Sequence, residues 1–267
     1  TLLPLDPKAY YGMASDYNAG QATYATLGHI HRFDADNEIK TMVRKGDYKR
    51  DQRAGTVRVA GAAQQPDGKA VYLDNFGPMT RLTRGTQLKI QDMQNLYAQS
   101  DYSGKFEAWG VKHAVLAGVD YAQEKRQVYS ALTAAQGGVN LTKPNTSVGT
   151  PNDGAWIDEG SRVLRVGNEY VSKGWGVYGQ DLVQVAPDWK ILGGLRYDSM
   201  TGDYDTFNAA TGAVTGSYRM KVSEWSKRFG VLHQLEAQIG HLGDLALQLA
   251  MALQRLQRDA VDIDRHH

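Results

Sequence analysis

The chain has no cysteine, so it can build neither a disulfide framework nor a thiolate metal site. It also lacks any run of about 18 apolar residues, which excludes a transmembrane helix. Charge of one sign is missing as well: 30 Lys and Arg against 29 Asp and Glu leave a net charge of +1. That balance gives no electrostatic case for nucleic acid. Phenylalanine is scarce at 5, whereas glycine (29) and tyrosine (15) are plentiful. Tyrosine suits a boundary where one end of the ring is apolar and the other wet. The mean hydropathy of −0.48 does not argue against a membrane, because a barrel strand hides its hydrophobicity in alternation.

The most informative stretch is residues 174–204, which reads as two long strands joined at Pro187-Asp188-Trp189. Side chains in a strand alternate, so Trp189, Ile191, Gly193, Leu195 and Tyr197 share one face. Lys190, Leu192, Gly194, Arg196 and Asp198 share the other. In the preceding strand Trp175, Val177, Gly179, Val183 and Val185 form an apolar face interrupted by Asp181. Strands of soluble proteins run about 5–6 residues, and these are far longer. Great length, one apolar face and one charged face describe the wall of an outer-membrane barrel.

The same grammar repeats along the chain. Residues 20–33 and 37–50 form a hairpin over Asp34-Ala35-Asp36, followed by a long polar loop over 51–85. Residues 86–103 and 112–130 form a second hairpin, followed by a loop over 131–167 rich in Gly, Asn, Thr and Pro. The pair within 174–204 is the third hairpin, and a shorter loop over 208–216 leads to a seventh strand at 219–233. Short turns at one end and long loops at the other are the layout of bacterial barrels.

In these segments the chain resembles the TonB-dependent siderophore receptors of Gram-negative outer membranes, most closely the ferric-catecholate and ferrichrome-like group. The matching pieces are HRFDADNEIKT (31–41), KHAVLAGVDYAQEKR (112–126), GWGVYGQD (174–181), GGLRYDSMTGDY (193–204) and SEWSKRFGVL (223–232). The resemblance covers about residues 8–233. It implies a large barrel closed by an N-terminal plug, a ferric siderophore as ligand with no covalently bound cofactor, and the TonB complex and outer-membrane lipid as partners. It implies no enzyme activity. Against that family, the plug and its TonB-contacting segment are missing from this sequence and only about seven strands are present. The expectation is therefore an all-β fold: an antiparallel transmembrane β-barrel sector over 1–233 that does not transport on its own.

Residues 234–267 change character. Leu235, Ile239, Leu242, Leu245, Leu249, Leu253 and Leu256 recur at helical spacing, so this part reads as an amphipathic helical tail. The abrupt end of the strand pattern reads as a change of reading frame rather than a purposeful helix. Two other readings of the whole chain remain open at this level. A passive porin or autotransporter barrel shares the alternation but has shorter strands. A soluble β-rich binding module needs both faces covered.

Several local signals invite sharper chemistry. Gly174-Trp175-Gly176-Val177-Tyr178-Gly179 matches a dinucleotide fingerprint, but that chemistry needs a helix opening at the glycines and the sequence alternates there instead. His29 and His31 share a strand face without a third ligand nearby and read as wall positions, not a metal site. Asn140-Leu141-Thr142 and Asn145-Thr146-Ser147 read as ordinary loop residues, and no catalytic arrangement emerges from spacing. An anionic aromatic chelate would suit Arg, Tyr and Trp in the outer loops. The candidates are Tyr72, Phe76, Arg81, Arg84, Tyr129, Trp156, Arg162 and Arg165.

Overall fold

In the computed structural model the described residues are 6–234. Seven long antiparallel strands follow one another: β1 (Tyr17–Arg32), β2 (Asn37–Val59), β3 (Arg81–Ala108), β4 (Val111–Ala131), β6 (Leu164–Ala186), β7 (Trp189–Phe207) and β8 (Val214–His233). A two-residue strand, β5 (Thr146–Ser147), pairs with the start of β3 inside the loop between β4 and β6. The order β1-β2-β3-β4-β6-β7-β8 is a meander with β1 and β8 at its ends, so the described sheet is open. The expected helical tail lies outside the described residues.

Strand length exceeds the sequence expectation at the loop end. β2 pairs with β3 without a slip from Asn37↔Gly104 to Val59↔Leu82, so both strands run far into the segment expected to be loop over 51–85. β6 likewise begins at Leu164, inside the expected loop over 131–167, and β8 begins at Val214. These extensions carry polar residues on both faces, such as Arg50, Asp51, Gln52 and Arg53, so period-2 alternation disappears although the ladder continues.

The short turns close tightly. Trp109 and Gly110 take φ of 52° and 76°, the paired left-handed conformation that matches the twist of a two-residue hairpin. At the β1–β2 turn the Asp34 carboxylate accepts from the Asp36 amide at 2.8 Å and from the Asn37 side chain. One register row links Asn37, Gly104, Val115 and Asp181 across β2, β3, β4 and β6. Beyond that row β2 ends at once, whereas β3 runs on to Ala108 and β6 to Ala186. The sheet is therefore staggered in one direction, as a closing barrel requires.

Register also sorts the faces. Val115, Val119, Tyr121, Trp175, Val177, Ile191, Leu195, Tyr197, Trp225 and Phe229 fall on one face. Leu116, Asp120, Tyr178, Leu192, Arg196 and Asp198 fall on the other. A cavity of about 300 Å³ opens on the second face, among Lys105, Ala114, Leu116, Leu182, Leu192 and Leu232, so that face is concave. Tyr121, Trp175, Tyr197 and Trp225 step down across neighbouring strands of the convex face with the stagger, the rings of Trp175 and Tyr197 5.4 Å apart and those of Tyr197 and Trp225 5.0 Å apart. The Asp181 that interrupts this face pairs with His113 at 2.6 Å, and the Phe106 ring stacks on the imidazole at 5.2 Å. Gly174, Gly176 and Gly179 lie inside β6, so no helix opens there and the fingerprint is a coincidence of spacing.

Candidate functional site

Two polar constructions lie toward the long-loop end, and they differ in whether their charges are spent. The first is a cage made by residues 6–16, the loop after β2 and the loop after β4. It packs against Arg53 and Arg84, which share the convex face of β2 and β3. Lys143, 0% exposed, reaches Asp16 at 3.0 Å and Glu159 at 3.1 Å. Arg162 pairs with Glu159, and Arg53 holds Asp51 at 2.9 Å while donating to the Glu159 carbonyl. Arg84, also 0% exposed, binds Asp153 with both oxygens at 2.8 Å and donates to the carbonyl of Tyr11 at 2.7 Å.

Burial alone would raise the carboxyls of this cage, but their partners win. The amides of Met13 and Gly55 and the Lys143 ammonium hold Asp16 below the ordinary carboxylate range. Arg162 and Lys143 do the same for Glu159, and the Ala155 amide and Arg84 for Asp153, each against its own desolvation. A buried charge needs such pairing to be tolerated. The cage therefore fixes loop shape.

The second construction is on the concave face of the strands. One register row runs Tyr48, Met93, Arg126, Tyr170, Tyr204, Tyr218 from β2 to β8. Beneath it Arg44 lies 4.2 Å over the Tyr24 ring and donates to the Tyr48 hydroxyl at 3.3 Å. The Tyr204 and Tyr218 rings are 6.3 Å apart, and Tyr218 is 65% exposed. Gly202 accommodates this belt: a Cβ there would meet the Tyr170 hydroxyl at 3.1 Å. The belt thus presents ring faces and guanidinium groups to an open surface.

Deeper on the concave face the charges pair again. Arg196 donates to Asp120 at 2.8 Å and to Asp198 at 2.8 Å, 5.1 Å beneath the Tyr178 ring. The Tyr178 hydroxyl donates to Asp101. Gly118 and Gly176 make room, since a Cβ at either would collide with Tyr178 or Arg196.

The eight loop candidates from the sequence separate accordingly. Arg84 and Arg162 are buried in the cage, and Arg165 donates to the Ala209 carbonyl at 2.8 Å, tying down residues 208–213. Tyr129 donates to Asp92 at 3.0 Å on the convex side. Arg81 is exposed and reaches the Gln64 carbonyl at 3.3 Å, while Phe76 is half-buried. Tyr72 (69%) and Trp156 (64%) remain open on the loop surface. The concave tyrosine belt was absent from those candidates. Tyr48 and Tyr204 lay at inward parity within expected strands, whereas Tyr170 and Tyr218 fell just outside the strands expected from the sequence.

The relatives agree with this architecture. The family model described as TonB dependent receptor-like, beta-barrel, matches residues 3–241. The catecholate siderophore receptor Fiu of Escherichia coli strain K12 is 22% identical over 213 residues, covering 80% of this chain and 26% of the relative. The open form of the ferric-catecholate import receptor Fiu superposes with a TM-score of 0.71 at 19% identity, over 86% of this chain and 36% of that one. The siderophore receptor PiuA from Acinetobacter baumannii gives a TM-score of 0.64 at 17% identity, over 86% and 32%. The chain thus spans about a quarter of the length of the curated relatives it matches. With the family model covering nearly all of the staggered sheet, the chain belongs to the TonB-dependent receptor β-barrel family.

Proposed function

We propose that this chain is wall and loop scaffold of an outer-membrane receptor for ferric siderophores, with the concave tyrosine–arginine belt facing the ligand. The observation that carries the reading is the row Tyr48, Arg126, Tyr170, Tyr204 and Tyr218 beside Arg44, on the concave face of a sheet that belongs to this family. A ferric catecholate is anionic and aromatic. Ring faces and guanidinium groups meet both properties, through stacking and charge-assisted hydrogen bonds. The convex band meets lipid, where a cation at the midplane would cost about 2–4 kcal/mol. TonB supplies the energy of import in this reading. The open sheet does not close a pore by itself, because β1 and β8 have no partner on their outer edges among the described residues.

The test is binding of a ferric tris-catecholate chelate to the full chain, read by quenching of its tryptophans. Saturable quenching that weakens in Arg126→Ala and Tyr204→Ala supports the belt. Equal quenching in wild type and both variants would remove the belt from ligand recognition.

A further inference from the structure

One buried polar group on the concave face has nothing to bond to. Asn95 of β3 is 8% exposed, and its side-chain oxygen Oδ1 has no hydrogen-bond partner among the described residues. Buried acceptors are nearly always paired, so an unpaired one calls for a reason. Asn95 shares the concave parity with Met93 of the tyrosine row and lies one step below it. Its cross-strand neighbours on that face are Gly46 on β2 and Glu124 on β4, and Glu124 accepts from the Tyr97 hydroxyl at 2.6 Å.

The space over Gly46 explains why Oδ1 is covered. Gly46 is buried although it belongs to an open face. A Cβ there would meet the Tyr48 ring at 2.6 Å, Asn95 Oδ1 at 2.8 Å and the Tyr48 hydroxyl at 2.8 Å. The Tyr48 ring therefore lies across the glycine, and Asn95 Oδ1 borders the same notch. The ring is held by a 3.3 Å hydrogen bond from Arg44, whose guanidinium also lies 4.2 Å over the Tyr24 ring. A bond of that length is weak, so the ring can turn to another rotamer and open the notch.

We propose that Tyr48 is a movable cover and that Asn95 Oδ1, beneath it, accepts a hydrogen bond from an N–H or O–H of the ligand, so that Asn95 sets the specificity of the belt. The inference rests on the belt reading above and narrows its ligand. In a ferric catecholate the phenolic oxygens are deprotonated and hold the iron, so they offer no donor. The donor has to come from a substituent on the ring, which makes the preferred class a catechol carrying an amide or hydroxyl group. Gly46 keeps the notch free for it: the point that a Cβ would occupy lies within hydrogen-bond distance of Oδ1, where the donor atom has to sit. A site built around a buried acceptor discriminates against a ligand without the donor, because the acceptor then stays unpaired.

The experiment measures binding of two ferric tris-chelates to the full chain by tryptophan quenching. One is the chelate of a catechol carboxamide and the other that of the matching catechol methyl ester. The two are alike in size and in charge at the iron, and only the amide donates. The wild type should bind the amide chelate about tenfold more tightly. Asn95→Leu, close in volume and without an acceptor, should bind both chelates equally. Gly46→Ala should also lose the preference, because its methyl fills the notch. Gln91→Leu, on the same face of β3 and nearer the loop end, should keep it. The ratio separates this role from a structural one, since damage to the wall lowers both affinities together. A wild type that binds amide and ester equally, or a preference that survives in Asn95→Leu, would overturn the inference and leave the belt reading standing. Binding of neither chelate would overturn both.

Discussion

The loop cage and the concave belt draw on the same residue types, yet they do opposite things. In the cage Lys143, Arg84 and Arg162 are buried, and each is matched to a carboxylate. In the belt Arg126 and Tyr218 are exposed, and the rings face one another rather than a counter-charge. An arginine in a loop is therefore no better a ligand candidate than one in a strand. What decides is whether its donors are already spent. The cage holds shape, whereas in the belt Arg44 is held by Tyr48 and Tyr24 and Arg126 stays exposed without a carboxylate partner among the described residues.

The largest test of that contrast is Lys143→Met. Removing the ammonium leaves Asp16 and Glu159 buried beside an apolar side chain, which should cost the cage about 3–5 kcal/mol. Hydrogen exchange over residues 132–163 should rise sharply while the long strands stay protected. Unchanged protection there would show that the cage does not depend on its ion pairs.

Acid should act on the same construction. Asp16, Asp153 and Glu159 have folded values below their unfolded ones, so their contribution is complete above about pH 5 and is lost as pH falls through the lowered values. Proteolysis of the loops should accelerate only in that acid range. Loosening near neutrality would contradict it.

Arg196→Met should have a smaller effect, about 1–3 kcal/mol, because its side chain keeps partial access to water beside Asp120 and Asp198. A shift of the denaturation midpoint in detergent would measure it. The smallest effect on stability belongs to the belt. Tyr204→Ala and Arg126→Ala should change stability by no more than about 0.5 kcal/mol. Each should weaken ferric-catecholate binding by about 1 kcal/mol, or fivefold. A belt variant that unfolds the sheet, or a cage variant that abolishes binding without moving the loops, would reverse the roles assigned to the two regions.

Much of the sheet was legible in the sequence because lipid and lumen impose opposite demands on alternate residues. Trp189, Ile191, Leu195 and Tyr197 against Leu192, Arg196 and Asp198 fix one face and its register, and the structure keeps both. Where both faces are polar the signal vanishes, which is why the outer reaches of β2 and β3 read as loop. The candidate site was less legible. The chemistry of Arg84 or Arg162 is visible in one dimension, but the carboxylates that occupy them lie 69 residues away in the first case and one helical turn away in the second. Tyr48, Tyr170, Tyr204 and Tyr218 come together only through pairing across five neighbouring strand interfaces.

The central claim is that the apolar face of this sheet meets lipid and the charged face meets water. Because the chain has no cysteine, single cysteines can be introduced without background along residues 191–198 of β7. Their reaction with a charged, membrane-impermeant maleimide in vesicles is the most direct measurement. The account expects positions 192, 194, 196 and 198 to react and positions 191, 193, 195 and 197 to resist. Uniform reactivity, or the opposite alternation, would contradict it.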